Sequence, residues 1–227
     1  MTLQEAILAR HSVRNYISKP LTSEQISTLQ AEIDACNSEG NLHIQLVLNE
    51  RKAFKGLSSY GKFSGVENYI VMAGARTGDL NERVGYYGER LVLLAQTLGL
   101  NTCWVGLTYR KTGDYVLNSG EKLCCVIALG YGVSQGREHK IKTPEQISNV
   151  GADTPDWFLR GVEAALLAPS AVNQQKYSFR YVPATEGEKP TVIADSGFSL
   201  LGYTKMDLGI ARYHFEIGAG KENFNWG

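Results

Sequence analysis

Apolar residues recur at two different spacings along this chain, and the spacing changes several times. A helical spacing over 2–10, 21–36 and 80–98 predicts three helices. The third is apolar on most of its faces, so we expect it to lie at the centre of the fold and to end at Gly99. Alternating or continuous apolar runs predict strands over 43–48, 68–73, 102–105 and 123–129.

The same series of elements is predicted again after a stretch rich in glycine and charge, 130–143. A helix over 155–168, strands over 177–182 and 191–194, and a helix over 207–219 follow it. The order helix, strand, strand, helix therefore occurs twice. The pattern predicts an α+β protein with a first half over 1–143 and a second, shorter half over 144–227, together forming one compact unit.

Two pairs of glycines support an internal repeat. When Gly88 is aligned with Gly209, Gly99 falls on Gly220, because 209 minus 88 and 220 minus 99 both give 121. A tryptophan also follows each of the two long helices. The alternative is that the two halves are ordinary and unrelated, and that glycine and tryptophan follow both helices by chance.

Composition excludes several classes of function. The 227 residues contain 23 Lys and Arg against 23 Asp and Glu, so no basic field is present for a nucleic-acid backbone. The longest apolar stretch, 91–100, is far shorter than the about 20 residues of a membrane-spanning helix.

The cysteines form no C-x-x-C pair and the histidines lack metal-ligand spacing, so no metal site is expected. The first residues lack the regions of a signal peptide, which makes a cytoplasmic location the expectation.

Two short polar runs, far apart in the chain, look like two parts of one binding site. The run 10–14, Arg-His-Ser-Val-Arg, brings two guanidinium groups and a hydroxyl together, which suits a phosphate. The run 169–175, Pro-Ser-Ala-Val-Asn-Gln-Gln, offers amides and a hydroxyl that can read the edge of a planar heterocycle. Each run also has a plain structural interpretation, as solvated arginines after a surface helix and as a polar loop after a helix stopped by Pro169.

A third run, 56–63, nearly matches the phosphate-binding loop G-x-x-x-x-G-K-[ST] of nucleotide triphosphatases. Phe63 breaks the match, because the last position must supply a hydroxyl to Mg²⁺. No predicted strand leads directly into Gly56, and no predicted helix follows Lys62 directly. The pattern therefore disfavours a nucleotidase.

Three motifs in combination resemble those of the FMN-dependent nitroreductase family. They are the runs 9–16, 99–106 and 168–175, which read ARHSVRNY, GLNTCWVG and APSAVNQQ. The resemblance covers nearly the whole chain and implies a three-layer α+β fold that binds FMN. Ordinary members carry the P-S-x-x-N-x-Q segment in their first half and form a homodimer. Here the segment lies in the second half, so the chain resembles the branch in which two related halves of one polypeptide form a pseudo-dimer, with one FMN, as a monomer or a weak homodimer.

The resemblance also implies which residues contact the cofactor. The implied phosphate contacts are Arg10, His11 through its backbone, Ser12, Arg14, Lys140 and Lys142. The implied ring contacts are Lys62, in preference to Lys52, near flavin N1, the backbone of Gly106 and Leu107 near N5, and Ser170 and Asn173, with the Asn173 amide at the ring's N3 and O4 edge. Pro169, Ala171 and Gln175 belong to the same implied cofactor-binding segment, in which Pro169 sets the turn. No catalytic side chain is implied, because the cofactor carries the chemistry.

The activity that the resemblance implies is hydride transfer from NADH or NADPH, through FMN, to a small-molecule electron acceptor such as a nitroaromatic or a quinone. Two alternatives remain open at this point. One is a specialised flavin-dependent reductase, and the other is a flavin-binding protein without turnover. Leu107 and Lys176 bear on the second alternative, because both depart from the residues common in the family and could close the substrate cavity.

Overall fold

Six helices alternate with eight strands in the residues that the computed structural model describes, 1–55, 63–185 and 187–227. The helices are α1 (Leu3–Ala9), α2 (Ser23–Gly40), α3 (Leu80–Thr97), α4 (Pro144–Ile147), α5 (Asp156–Leu166) and α6 (Thr204–Ala219). The strands are β1 (Tyr16–Ile17), β2 (Gln45–Val47), β3 (Asn68–Ala75), β4 (Asn101–Val105), β5 (Glu121–Gly132), β6 (Tyr177–Val182), β7 (Thr191–Ser196) and β8 (Asn225–Trp226).

Local side-chain chemistry explains where the first two helices begin. α1 follows Thr2, whose hydroxyl accepts a hydrogen bond from the Glu5 N–H, while the Glu5 carboxylate accepts one from the Thr2 N–H. The same reciprocal arrangement joins Thr22 and Gln25 at the start of α2. Each pair satisfies two backbone donors that the first turn of a helix leaves without partners.

The strands form two sheets. β5 is central in the larger one, which is antiparallel throughout: β3 pairs with one side of it, and β4 and β1 pair with the other. β2 pairs with the outer side of β3. The smaller sheet has the order β6-β7-β8, with β6 antiparallel and β8 parallel to β7. Residues 125–129 of β5 are all buried, which explains their continuous apolar run.

α3 and α6 cross at the centre of the molecule, and two glycines set how closely they approach. A Cβ on Gly85 would lie within 3.0 Å of the Met206 carbonyl, and a Cβ on Gly209 would lie within 3.0 Å of the Glu82 carbonyl. Only glycine fits at this separation. The two contacts are reciprocal, since 209 minus 85 and 206 minus 82 both give 124. In this contact Gly209 is therefore the counterpart of Gly85, three residues away from the Gly88 that the sequence alignment predicts.

The predicted helices and long strands are present, with ends that differ by a few residues. α2 extends to Gly40, four residues past the predicted end, and stops where Asn41 adopts a left-handed φ of 46°. β1 and β8 are not predicted, because two residues are too short to show alternation, and they form by pairing with β5 and β7. The four-residue α4 is likewise missed.

The repeated order of elements is present in the structure. α2, β2, β3 and α3 are followed later by α5, β6, β7 and α6, and the two strands in each set are antiparallel. One apolar core includes residues from both sets, among them Leu29, Val84, Phe158 and Phe215. None of the helices in the described ranges combines the length and the hydropathy needed to span a bilayer.

Candidate functional site

A cleft opens where the end of β4, the loop after α5 and the first turns of α6 meet. It has about 600 Å³ of empty space when its open mouth is counted. Its lining residues are Ser12, Arg14, Trp104, Val105, Gly106, Cys125, Pro169, Ser170, Ala171, Val172, Tyr203, Met206, Asp207 and Ile210. The two polar runs that the sequence singles out, 10–14 and 169–175, therefore both contribute to this one cleft.

The run 10–14 reaches the cleft because it lies along the start of β4. Ser12 forms an isolated parallel bridge with Thr102, and the Val13 N–H donates to the Thr102 carbonyl at 3.0 Å. The Arg14 carbonyl accepts from the Ser64 N–H, also at 3.0 Å. These backbone bonds leave the half-buried Ser12 side chain and the exposed Arg14 side chain at the cleft. Among the described residues that line it, Arg14 is the one cation.

The other arginine of the run has a different environment. Arg10 is 3% exposed, its Nε lies 3.8 Å from the Glu89 carboxylate, and its Nη2 donates to the Leu167 carbonyl at 3.4 Å. Burial lowers the pKa of the Arg10 guanidinium, and Glu89 opposes that shift. Although the family resemblance groups Arg10 with Ser12 and Arg14 at the phosphate, the structure pairs it with a buried carboxylate, and it is not among the residues that line the cleft.

The end of β4 forms one wall of the cleft. A Cβ on Gly106 would lie 2.6 Å from Oη of Tyr203, so the Tyr203 ring packs directly against the Gly106 backbone. Tyr203 itself has a left-handed φ of 63° and immediately precedes α6. Trp104, Met206 and Ile210 supply apolar surface beside it. The wall is therefore apolar, and the Tyr203 ring occupies the space that a side chain at position 106 would fill.

The loop 169–175 has a strained backbone. Val172, Asn173 and Gln175 have φ of 47°, 58° and 44°, in the left-handed region that a β-branched residue such as valine rarely adopts. Each such residue costs on the order of 1–3 kcal/mol and persists only when surrounding contacts hold it. The loop must therefore be fixed by its neighbours.

One set of contacts that fixes the loop comes from the segment 140–142. Gln175 is 3% exposed, and its Nε2 donates to the Lys140 carbonyl at 2.8 Å while its Oε1 accepts from the Lys142 N–H at 3.0 Å. The Lys142 ammonium donates to the Gln175 carbonyl at 2.6 Å, and Asn173 Nδ2 donates to the Lys140 carbonyl at 2.8 Å. The two predicted segments therefore lie together, but Asn173, Gln175 and Lys142 contact each other rather than lining the cleft.

Three further predicted residues, His11, Leu107 and Lys140, are not among the residues that line the cleft. His11 is half-buried, and burial and the neighbouring Arg10 lower its imidazole pKa. Leu107 follows Gly106 and is 79% exposed, and Lys140 is exposed. Lys62 and the predicted loop 56–61 lie outside the described residues.

Several lining residues carry no role in the sequence analysis. They are Trp104, Val105, Cys125, Val172, Tyr203, Met206, Asp207 and Ile210. Asp207 had a usable signal, because it is a carboxylate that interrupts the apolar residues of 206–211, and in the structure it is only 3% exposed. Burial raises the pKa of Asp207 to about 6, and hydrogen bonds from Gln174 and Ala171 oppose the shift.

Comparison with protein families identifies the chain. A family model described as "Putative TM nitroreductase" matches residues 2–219. The chain belongs to this family. No curated protein matches the sequence.

Solved structures of nitroreductases share the fold. A "putative nitroreductase" from Thermotoga maritima MSB8 is 24% identical, with a TM-score of 0.65, and the match covers 98% of this chain and 85% of that one. A "putative nitroreductase" from Desulfovibrio desulfuricans, solved in complex with FMN, is 15% identical with a TM-score of 0.51, and the match covers 68% of this chain and 98% of that one. The chain therefore has the mixed helix and sheet fold of nitroreductases.

In this chain, the cleft joins three kinds of surface. Ser12 and Arg14 provide a hydroxyl and a cation at one part of its lining, and Trp104, Met206 and Ile210 provide apolar walls. The loop 169–172 adds polar backbone and the Ser170 hydroxyl. Such a cleft suits a ligand with an anionic end and a flat, largely apolar body that has a few hydrogen-bonding atoms.

Proposed function

We propose that the chain binds FMN in this cleft and uses it to pass electrons from NADH or NADPH to a small-molecule acceptor such as a nitroaromatic or a quinone. The observation that carries the proposal is the meeting of Ser12 and Arg14 with Pro169, Ser170 and Ala171 around one cleft. Family membership and a neighbouring fold solved with FMN support the choice of cofactor.

The cleft residues fit the cofactor chemically. A phosphate of charge about −2 suits Arg14, whose guanidinium forms charge-assisted hydrogen bonds, with Ser12 as a neutral donor. A planar ring suits the apolar surface that Trp104, Met206 and Ile210 supply beside the Gly106 backbone. When bound, FMN supplies the ring system that accepts a hydride and passes the electrons on.

The chain's own residues bind, orient and dehydrate the ligands. Trp104, Met206 and Ile210 keep water from the apolar side of the cleft, which strengthens each electrostatic contact within it. Because a single cleft serves both the electron donor and the acceptor, the two must bind in turn. Ping-pong kinetics are the expected result.

We also propose that one chain acts as a pseudo-dimer with a single cofactor site. The reciprocal packing of Gly85 and Gly209 supports it, because a two-fold interface makes each contact twice with the partners exchanged. A second parallel supports it as well: Trp104 donates to Glu89 of α3 at 2.9 Å, and Trp226 donates to Glu216 of α6 at 2.7 Å. The Desulfovibrio nitroreductase aligns over almost all of its own length and leaves about a third of this chain unmatched, since 100 minus 68 is 32%.

An anaerobic titration tests the proposed activity. The purified protein is loaded with FMN and mixed with NADPH or NADH while the flavin absorbance is followed. Bleaching that a nitroaromatic or quinone then reverses is the expected result. Stable binding without bleaching would instead identify a flavin-binding protein without turnover, and failure to take up FMN would overturn the cofactor assignment.

The flavin-to-protein ratio tests the pseudo-dimer. The reconstituted protein is freed of excess FMN by gel filtration, and bound flavin is released and quantified against protein. A ratio near one per chain, from a particle of monomer mass, is expected. A ratio near two, or one flavin shared by two chains, contradicts the pseudo-dimer and leaves the flavin chemistry in place.

A further inference from the structure

The strained loop 169–175 is held from two sides, and the second side is α6. Asp207 in the first turn of α6 accepts a hydrogen bond from the Ala171 N–H at 3.0 Å through Oδ1. Its Oδ2 accepts from Gln174 Nε2 at 2.7 Å. The two carboxylate oxygens therefore bracket the left-handed residues Val172 and Asn173.

Asp207 is fixed to α6 close to its crossing with α3. Its own N–H donates to the Tyr203 carbonyl at 2.8 Å, which closes the first turn of α6. Two residues later, Gly209 presses against α3 at the helix crossing. The packing of α3 against α6 therefore fixes the position of the Asp207 carboxylate, and the carboxylate in turn fixes the loop that is hydrogen-bonded to it.

Ionisable groups from several elements surround this carboxylate. Arg14, Cys125 of β5 and Tyr203 share the cleft with it, and Tyr177 of β6 is close enough for Asp207 to raise the pKa of its phenol. The side chain is 3% exposed, and a buried carboxylate is costly unless its oxygens are hydrogen-bonded. This costly buried carboxylate stands at a position that lines the cleft, and its placement favours a role at the site over a role in packing alone.

We propose that Asp207 is a positioning residue for the cofactor, whose carboxylate holds the 170–174 loop in the strained form that presents Ser170 to the cleft. This inference rests on the proposed FMN site. It assigns a function to Asp207, for which the sequence alone predicts none. The contact from Gln175 to 140–142 fixes the far end of the loop, and Asp207 fixes the end that lines the cleft.

The holding contacts depend on the charge of the carboxylate. Hydrogen bonds to a charged acceptor are worth about 1.5–3 kcal/mol, roughly twice those to a neutral one. Burial raises the pKa of Asp207 to about 6, so protonation near that pH weakens both contacts. FMN affinity should therefore fall as the pH decreases through about 6, beyond the change caused by the phosphate of FMN, whose own second pKa is also about 6.

The test compares wild type, Asp207→Ala and Asp207→Asn, with Asp195→Ala and Asp195→Asn as matched controls, because Asp195 of β7 is exposed. The dissociation constant of FMN is measured by fluorescence between pH 5 and 8. At pH 7.5 we expect Asp207→Ala to bind about tenfold or more weakly, with Asp207→Asn intermediate because its Oδ1 still accepts from Ala171. The Asn variant should also lose the part of the pH dependence that comes from Asp207 and keep the part that comes from the FMN phosphate, whereas the controls should keep both. Unchanged affinity in Asp207→Ala, or identical pH profiles in wild type and Asp207→Asn, overturns the proposal.

Hydrogen exchange separates this inference from the proposed function. Without any ligand, peptides that contain 170–174 should lose amide protection in Asp207→Ala, while peptides from β5 keep it. Lost protection together with no FMN binding by wild type contradicts the FMN site but retains the loop contact. FMN binding by wild type with unchanged loop protection in Asp207→Ala contradicts the positioning role alone.

Discussion

The Glu89 carboxylate lies 2.9 Å from Nε2 of His214, and neither side chain has exposed surface. Nδ1 of His214 lies 3.1 Å from the Ala164 carbonyl, which can only accept, so Nδ1 carries a hydrogen. Trp104 and Arg10 also approach the same carboxylate. A single residue of α3 therefore joins α1, β4 and α6.

Glu89→Gln should be strongly destabilising. The amide leaves the buried Arg10 guanidinium without a counter-charge, and breaking a buried pair in this way costs about 3–5 kcal/mol. Urea unfolding of the ligand-free protein measures the loss, with exposed Glu163→Gln on α5 as the control. A Glu89→Gln variant within about 0.5 kcal/mol of wild type, the range usual for surface changes, would show that the carboxylate does not stabilise its neighbours.

Gly85→Ala and Gly209→Ala should destabilise the protein by similar amounts. Each added methyl group meets a carbonyl of the other helix, so α3 and α6 must separate, and overpacking of this kind costs about 1–3 kcal/mol or more. Gly151→Ala is the control, because a Cβ there meets no atom within 4 Å. Thermal unfolding of the three variants provides the comparison. Strongly unequal losses would contradict the reciprocity of the helix crossing.

The sequence predicts well what depends on local chemistry. The end of α3 just before Gly99 and the buried run of β5 both depend on residues close in sequence. Local pattern is sufficient in these two cases. The contribution of Ser12 and Arg14 to the same cleft as Ser170 follows instead from the combination of motifs that carries the family resemblance.

The sequence does not predict what depends on a distant partner. Arg10 and Arg14 are equivalent in the linear motif, but Glu89, 79 residues away, draws only Arg10 into the interior. Gln175 belongs to an amide-rich motif, but the backbone at Lys140 and Lys142 uses its side chain. β1 and β8 exist only because β5 and β7 offer free edges to them. Such residues need the tertiary structure before their role can be assigned.

Arg14→Ala should weaken FMN binding about 10- to 100-fold, because a hydrogen bond to a charged group is worth about 1.5–3 kcal/mol. The prediction depends on the phosphate, so riboflavin, which lacks one, should bind wild type and Arg14→Ala alike. Exposed Arg76→Ala serves as the control for a lost surface charge. Isothermal titration with both ligands gives the comparison. Equal weakening of FMN and riboflavin would place Arg14 at the ring instead of the phosphate.

The ligand-free stability of the protein should depend on pH through Asp207. Burial raises its pKa from 3.8 to about 6, so the stability that the protonated form contributes is complete below pH 3.8 and is lost as the pH rises through 6. The total loss is about 3 kcal/mol, because one pKa unit corresponds to about 1.4 kcal/mol. Asp207→Asn cannot ionise, so the difference in unfolding free energy between the variant and wild type should shift by about 2 kcal/mol in favour of the variant from pH 4.5 to 7.5.

Urea unfolding at the two pH values measures that shift, with Asp195→Asn as the exposed control. Parallel pH profiles for wild type and Asp207→Asn would mean that Asp207 ionises as freely in the folded protein as in the unfolded chain. If instead the unfolding free energies of the two proteins approach each other at low pH and separate at neutral pH, the ionised Asp207 carboxylate lowers the stability of the folded protein at neutral pH. That cost is expected of a residue that holds a strained loop beside a ligand site, because strain at such a site must be offset elsewhere in the fold.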